Sequence, residues 1–258
     1  MKKTLFLLLV GVSLLFTACF ETETETSINA DGSGTLTMVI DMGKMFDLIE
    51  AMGKDSINKT DDEPPQDSVF YFKDQASEIE KDLGRPLTNE EKTLLEKSTG
   101  RLQLNVKEKM MKLSLRSEFT KLSQLTFLEK MQKKVVDKLP GRDGTENDEE
   151  NEKIMQLASK PADALSFSVK DGLIENSFDK SKYQLSAEDE AMAAEISQLG
   201  MMFGEMPVKF IYRLPRPVKE VTTSAEYELA EDKRTVTITY DFLEIFKKPE
   251  VQAYKIEY

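Results

Sequence analysis

Two hydrophobic periods take turns along this chain. Thr35 to Asp41 alternates, with Leu36, Met38 and Ile40 on one face, after a turn cluster Asp31-Gly-Ser-Gly34 that supplies glycine where a hairpin needs positive φ. Met45, Phe46, Leu48, Ile49 and Met52 then recur at helical spacing. The same order returns. Leu102, Leu104 and Val106 alternate, Lys107 to Met110 reads as a turn, and Met111, Leu113 and Leu115 alternate again before a helix with Leu125, Leu128, Met131, Val135 and Leu139 on one face. A third pass has Leu165, Phe167 and Val169, a turn Lys170-Asp171-Gly172, Leu173 to Phe178, and a helix opened by the capping-box pattern Ser186 to Asp189 and carrying Met192, Ile196, Leu199 and Phe203. A fourth has Tyr227 and Leu229, a turn at 231–234, then Val236, Ile238 and Tyr240, and a short helix 243–248 before Pro249.

The pattern predicts an α+β fold: antiparallel β-hairpins with helices packed on one face, in loose ββα repeats. Three strand-to-helix junctions carry an acid, at Asp41, Glu118 and Asp241, where it suits the positive end of a helix dipole. Val208, Phe210, Tyr212 and Leu214 make a further strand, and Thr88 to Glu91 a further helix start. Residues 53–68, with Pro64-Pro65, and 140–153, a run of acids nearly free of apolar residues, are predicted to be exposed, mobile loops.

The first nineteen residues, MKKTLFLLLVGVSLLFTAC, have another logic. Lys2 and Lys3 form a positive n-region, and Leu5 to Phe16 is an apolar stretch too short for a permanent span. The junction Thr17-Ala18-Cys19 resembles the lipobox of bacterial lipoprotein precursors. That resemblance implies a signal peptide at 1–18, acyl chains (palmitate among them) on Cys19, and cleavage before it. Cys19 is the chain's one cysteine. Phe20 follows it in place of the Asp that marks inner-membrane retention, which favours the outer membrane. Residues 19–26 are assigned to a lipidated tether, although the Glu/Thr alternation of FETETETS also fits the start of a strand, and 27–258 to the body.

Composition narrows the chemistry. The 258 residues include 35 Lys+Arg against 47 Asp+Glu, for a net charge of −12, and neither His nor Trp. Removing 1–18 takes Lys2 and Lys3 and no acid, leaving −14. Without His there is no imidazole base and no Ser-His-Asp or Cys-His catalysis. One cysteine allows neither an internal disulfide nor a thiolate zinc site. An acidic chain without a basic stripe is a poor ligand for nucleic acid. The surface will not seek anionic headgroups, so the lipid must supply the membrane affinity.

Four short motifs bear on its chemistry. Asn29 to Gly34 looks like the front half of a calcium loop, but the twelfth position is Ile40 instead of a bidentate Glu, so a hairpin turn is expected and no metal site. Ser56 to Lys59 and Ser177 to Lys180 match S-x-x-K without the S-D-N and K-T-G elements that complete that chemistry. Met201, Met202 and Met206 cluster, yet methionine on apolar helix faces fills core gaps more often than it binds copper. Asp55-Ser56-Ile57 and Asp67-Ser68-Val69 resemble an O-glycan acceptor of exported proteins, which makes Ser56 and Ser68 candidate modification sites.

GSGTLTMVID after the lipobox and LPRPVKEVTTSAEYELAEDKRTVTITYDF near the end are similar to stretches of the LppM-like bacterial lipoproteins. That resemblance implies an envelope lipoprotein with an α+β domain, with lipid binding as a further implication. The expected function is a membrane-anchored, non-enzymatic binding or structural module of the cell envelope. The alternative is a lipid-binding protein with a groove lined by Met and Phe. No cofactor is expected, and the one partner expected from the sequence is the membrane, through the N-terminal lipid.

Overall fold

The computed structural model describes residues 21–43, 65–137, 157, 160, 161, 163–204 and 206–258. The strands are β1 Glu21–Ile28, β2 Gly34–Asp41, β3 Gln66–Tyr71, β4 Thr99–Asn105, β5 Met110–Phe119, β6 Leu165–Lys170, β7 Leu173–Phe178, β8 Pro207–Arg213, β9 Glu220–Thr223, β10 Glu226–Leu229, β11 Thr235–Asp241 and β12 Tyr254–Glu257. The helices are α1 Ala76–Leu83, α2 Asn89–Glu96, α3 Leu125–Asp137 and α4 Ala187–Phe203. Eight strands form one sheet in the order β10-β11-β8-β1-β2-β5-β4-β3, and four form a second in the order β6-β7-β12-β9. Every pairing is antiparallel except that of β1 with β8. The fold is α+β.

The expected tether is a correction. Residues 21–26 are most of β1, a strand in the interior of the large sheet, so the folded body begins at Glu21 and not at residue 27. The reason lies in the alternation. Thr24, Thr26 and Ile28 point inward and are buried, while Glu21, Glu23 and Glu25 share the outer face. Threonine suits a pleated strand through its branched Cβ. Three glutamates at two-residue spacing would repel each other, and β8 supplies the countercharge: Lys209 pairs with Glu21 at 2.5 Å and Arg213 with Glu25 at 2.9 Å.

The first hairpin turn is built as its sequence predicts. The Asn29 amide donates to the Ser33 carbonyl at 2.8 Å, and Asp31 accepts from the Ser33 amide at 3.0 Å and its hydroxyl at 2.6 Å. The Asp31 carboxyl is thus held below its usual range by the Ser33 hydroxyl, then by the Ser33 amide. Gly34 follows because a Cβ there would overlap the Ser27 carbonyl and the Phe119 ring. Gly100 has the same logic: Phe70, its neighbour on β3, lies over it where a Cβ would go.

Two expected ββα units are present, β4-β5-α3 and β6-β7-α4. After β10-β11 the short helix expected at 243–248 is present as a 3₁₀ helix, Phe242–Phe246. The helix expected over 45–52 and the loop over 140–153 lie outside the described residues. Of the loop expected over 53–68, residues 66–68 belong instead to β3, which pairs with β4 at the sheet edge. The acids at the junctions divide. Asp241 accepts from the Leu243 amide at the head of the 3₁₀ turn, as the dipole argument predicts; Asp41 accepts from the Gly43 amide, and the helix expected beyond it is outside the described residues. Glu118 pairs with Arg116 instead, and the amides of Thr120 and Lys121 go to the Gln124 side chain.

The inner face of the large sheet carries the core. Beside β2, β5 and β3, residues Met38, Ile40, Leu113 and Phe72 pack with Ile79, Leu95, Met131 and Val135 of α1, α2 and α3. At the centre, Ile28, Leu36, Tyr212 and Ile238 meet Leu125 and Leu128 of α3 and Ile174, Tyr254 and Ile256 of the small sheet. Toward β11, Val208 and Tyr240 meet Ala193 of α4 with Ile245, Phe246 and Val251. The outer face, with Thr35, Thr37, Thr237, Thr239, Val39 and Ile211 among its residues, contributes nothing to these clusters.

Candidate functional site: a polar seam between the sheets

Helix α3 shows its apolar stripe to the sheet, as Leu125, Leu128, Met131 and Val135 require. Helical spacing puts Glu129 and Gln132 on the same side, four and seven residues after Leu125. Both are buried: Glu129 is 7 % exposed and Gln132 is fully enclosed. The Gln132 amide group donates to the Leu36 carbonyl at 3.3 Å, which holds α3 against β2. Glu129 makes no hydrogen bond or ion pair among the described residues.

Three tyrosines from three strands face this carboxyl: Tyr212 of β8, Tyr240 of β11 and Tyr254 of β12. The Tyr212 and Tyr254 hydroxyls bond to each other at 2.5 Å, so this hydrogen bond ties the large sheet to the small one. Phe210 packs against two of these rings, stacked on Tyr240 at 6.1 Å and tilted to Tyr254 at 5.7 Å. Register explains the gathering. Ser117, Leu36, Thr26 and Tyr212 stand side by side across β5, β2, β1 and β8. The next row is Leu115, Met38, Thr24 and Phe210. A polar stripe therefore crosses the middle of an otherwise apolar face.

Electrostatics follows from burial. Removal from water pushes the Glu129 carboxyl above its usual range, with Lys133 one turn away opposing only in part. Burial, and then the field of Glu129, raises Tyr212 and Tyr240 well above the ordinary phenol range. Tyr254 is raised by burial, then by Tyr212 and Glu129. The seam thus gathers a carboxyl, phenols and amides in one buried place. Within it the Thr24 hydroxyl, the Ser117 hydroxyl and the carbonyl oxygens of the Gln132 and Asn176 side chains have no partner among the described residues. Buried polar atoms in this condition are the ones that ordered water satisfies. Chemically, the arrangement can hydrogen-bond small polar molecules.

The candidate residues from the sequence lie elsewhere. Cys19 and Ser56 are outside the described residues. Ser68 is exposed on edge strand β3, paired with Leu102, and not in a loop. Ser177, from the second S-x-x-K match, donates to the Ser166 carbonyl at 3.3 Å across its hairpin, and Asp179 caps the 3₁₀ turn that follows. Met38, Met42 and Met131 fill the core. The seam itself was missed, although the spacing 125, 129, 132 carried it: an acid and an amide on the inward side of an amphipathic helix. Among the described residues, no helix is long and apolar enough to cross a membrane. No family model, curated protein or solved structure matches the chain.

Proposed function

We propose that this protein is a lipid-anchored envelope lipoprotein, held at the outer membrane through Cys19, that works as a non-enzymatic binding or structural module. The observation that carries the reading is the N-terminal stretch itself: a two-lysine n-region and an apolar stretch ending at Ala18-Cys19, the chain's single thiol. A single acyl chain holds a protein only reversibly, whereas two or more give stable attachment, so acylation at both the thiol and the new amino group suits a permanent anchor. The module reading draws on the sheet. Its outer face offers a partner a broad ladder of threonines and paired charges, including Lys209 with Glu21 and Arg213 with Glu25.

The test is a Cys19→Ala variant grown with a labelled fatty acid. The wild-type chain should take up label, lose residues 1–18 and sediment with outer membranes. The variant should take up none and leave the membrane fraction or remain unprocessed. Label retained by the variant overturns the reading.

A further inference from the structure

Strand β1 begins two residues after Cys19. At about 3.6 Å per residue, an extended chain lets Cys19 stand at most about 7 Å from Glu21. The anchor therefore has almost no leash, and the end of the large sheet where β1 starts is its neighbour. Register identifies what else lies at that end. Glu21 pairs with Asp41 at the close of β2, and Asp41 with Lys112 near the opening of β5. Pro207 opens β8 there and Asp241 closes β11 opposite it. The 106–109 turn joins β4 to β5 at the same end. This end is fastened across its width: the Met42 amide donates to the Met111 carbonyl at 2.8 Å, and the Phe242 amide to the Met206 carbonyl at 2.8 Å.

At the β1 start, Val106, Met110, Met206, Phe242 and Leu243 are half-buried, and Asp41, Lys107, Glu108 and Lys109 are exposed beyond them. At the far end Asn29, Ala30 and Asp31 are exposed in one turn and Ala230 to Arg234 in another, with Leu229 exposed beside the second. The short reach from Cys19 to Glu21 is what selects the first of these ends. An eight-residue strand is about 26 Å long, so the far end stands well clear of any bilayer that touches the first.

We infer that the body stands end-on, with the β1-start end of the large sheet seated on the bilayer and the 29–34 and 231–234 turns facing away from it. The partner for this surface is the lipid bilayer that holds the anchor. The orientation rests on acylation of Cys19, the reading proposed above. It places the outer face of the sheet, edge to edge, along the membrane normal and leaves it open to partners.

The test uses the acylated protein in phosphatidylcholine vesicles. Acylation occupies the one natural thiol, so Glu108→Cys and Glu231→Cys each give a single labelling site on an exposed turn. With an environment-sensitive fluorophore at each position and a doxyl quencher in the acyl chains, the 108 probe should shift to the blue and lose most of its emission. The 231 probe should do neither. A flexible Gly/Ser segment of about 12 residues inserted before Glu21, worth about 20 Å of reach, should abolish most of the quenching at 108 while the protein stays bound. Equal, weak quenching at 108 and 231 in an acylated, vesicle-bound protein overturns the orientation and leaves the lipoprotein reading standing. Quenching at 108 that survives the insertion overturns the leash argument. Absence of fatty acid on Cys19 removes both readings together, and mass spectrometry of the purified protein separates that outcome from the others.

Discussion

Glu129 shows how one residue can bias a core. It sits in the seam with its carboxyl raised by burial and no hydrogen bond to repay desolvation among the described residues. Its folded-state pKa lies above the unfolded value of 4.5. The unfolded chain therefore gives up this proton first, and the stability tied to Glu129 is complete below about pH 4.5 and declines as pH rises toward the folded-state pKa. Glu129→Gln keeps the shape and removes the titration. We expect the variant to melt close to wild type near pH 4 and increasingly above it as pH rises past 4.5, by about 1.4 kcal/mol for each unit by which the folded-state value is raised. Thermal melts across that range check it. A variant destabilised equally at every pH would show that the carboxyl has a partner and is not a lone buried acid.

At the scale of one element, α2 depends on its first turn. Thr88 accepts from the Glu91 amide and Glu91 reaches back to the Thr88 amide at 2.8 Å, the reciprocal box its sequence announces. Thr88→Ala should cost about 1 kcal/mol, read as a lower urea midpoint with unchanged slope. Arg85 adds a bidentate pair to Glu91, at 2.6 and 2.9 Å, and with the Thr88 contacts brings that carboxyl down to about 2. Because the folded value lies below the unfolded 4.5, this contribution is present above about pH 4.5 and is lost as pH falls to about 2. Arg85 is half exposed, so solvent screens the pair and its effect at neutral pH is small. Arg85→Ala should accordingly flatten the acid limb of the stability curve between those two values and leave the neutral region only slightly lower. An unchanged acid limb in Arg85→Ala would place the shift in the backbone cap alone.

For the whole molecule the decisive element is β1. It bridges β8 and β2, and the large sheet is continuous only through it. A chain starting at Glu21 should fold to a cooperative α+β species. One starting at Ser27 loses six of the eight residues of β1 and should not, because two ladders and the burial of Thr24 are removed together. Circular dichroism and urea melts of the two chains decide it. A cooperative transition in the shorter chain would mean that β2 and β8 can pair without β1.

The hairpins around residues 30, 108, 171 and 232 and the caps at Thr88 and Ser186 were legible in the sequence, since each depends on residues within a few positions of one another. The inward faces of β2, β5 and β11 were legible too, because alternation is a local signal of which side is wet. Three features were decided only in three dimensions. The Glu/Thr alternation of residues 21–26 also fits a strand, but its place between β2 and β8 was not readable, because its countercharges, Lys209 and Arg213, lie 188 residues away in sequence. The split into two sheets was invisible, since β12 is just four residues long and takes its place from β7 and β9. The seam was partly written in the spacing of Glu129 and Gln132, but its tyrosines come from strands far apart in the chain. Hairpins and caps follow from contacts a few residues long; the partner of a strand and the surroundings of a buried acid depend on long-range pairing, which periodicity along one segment does not record.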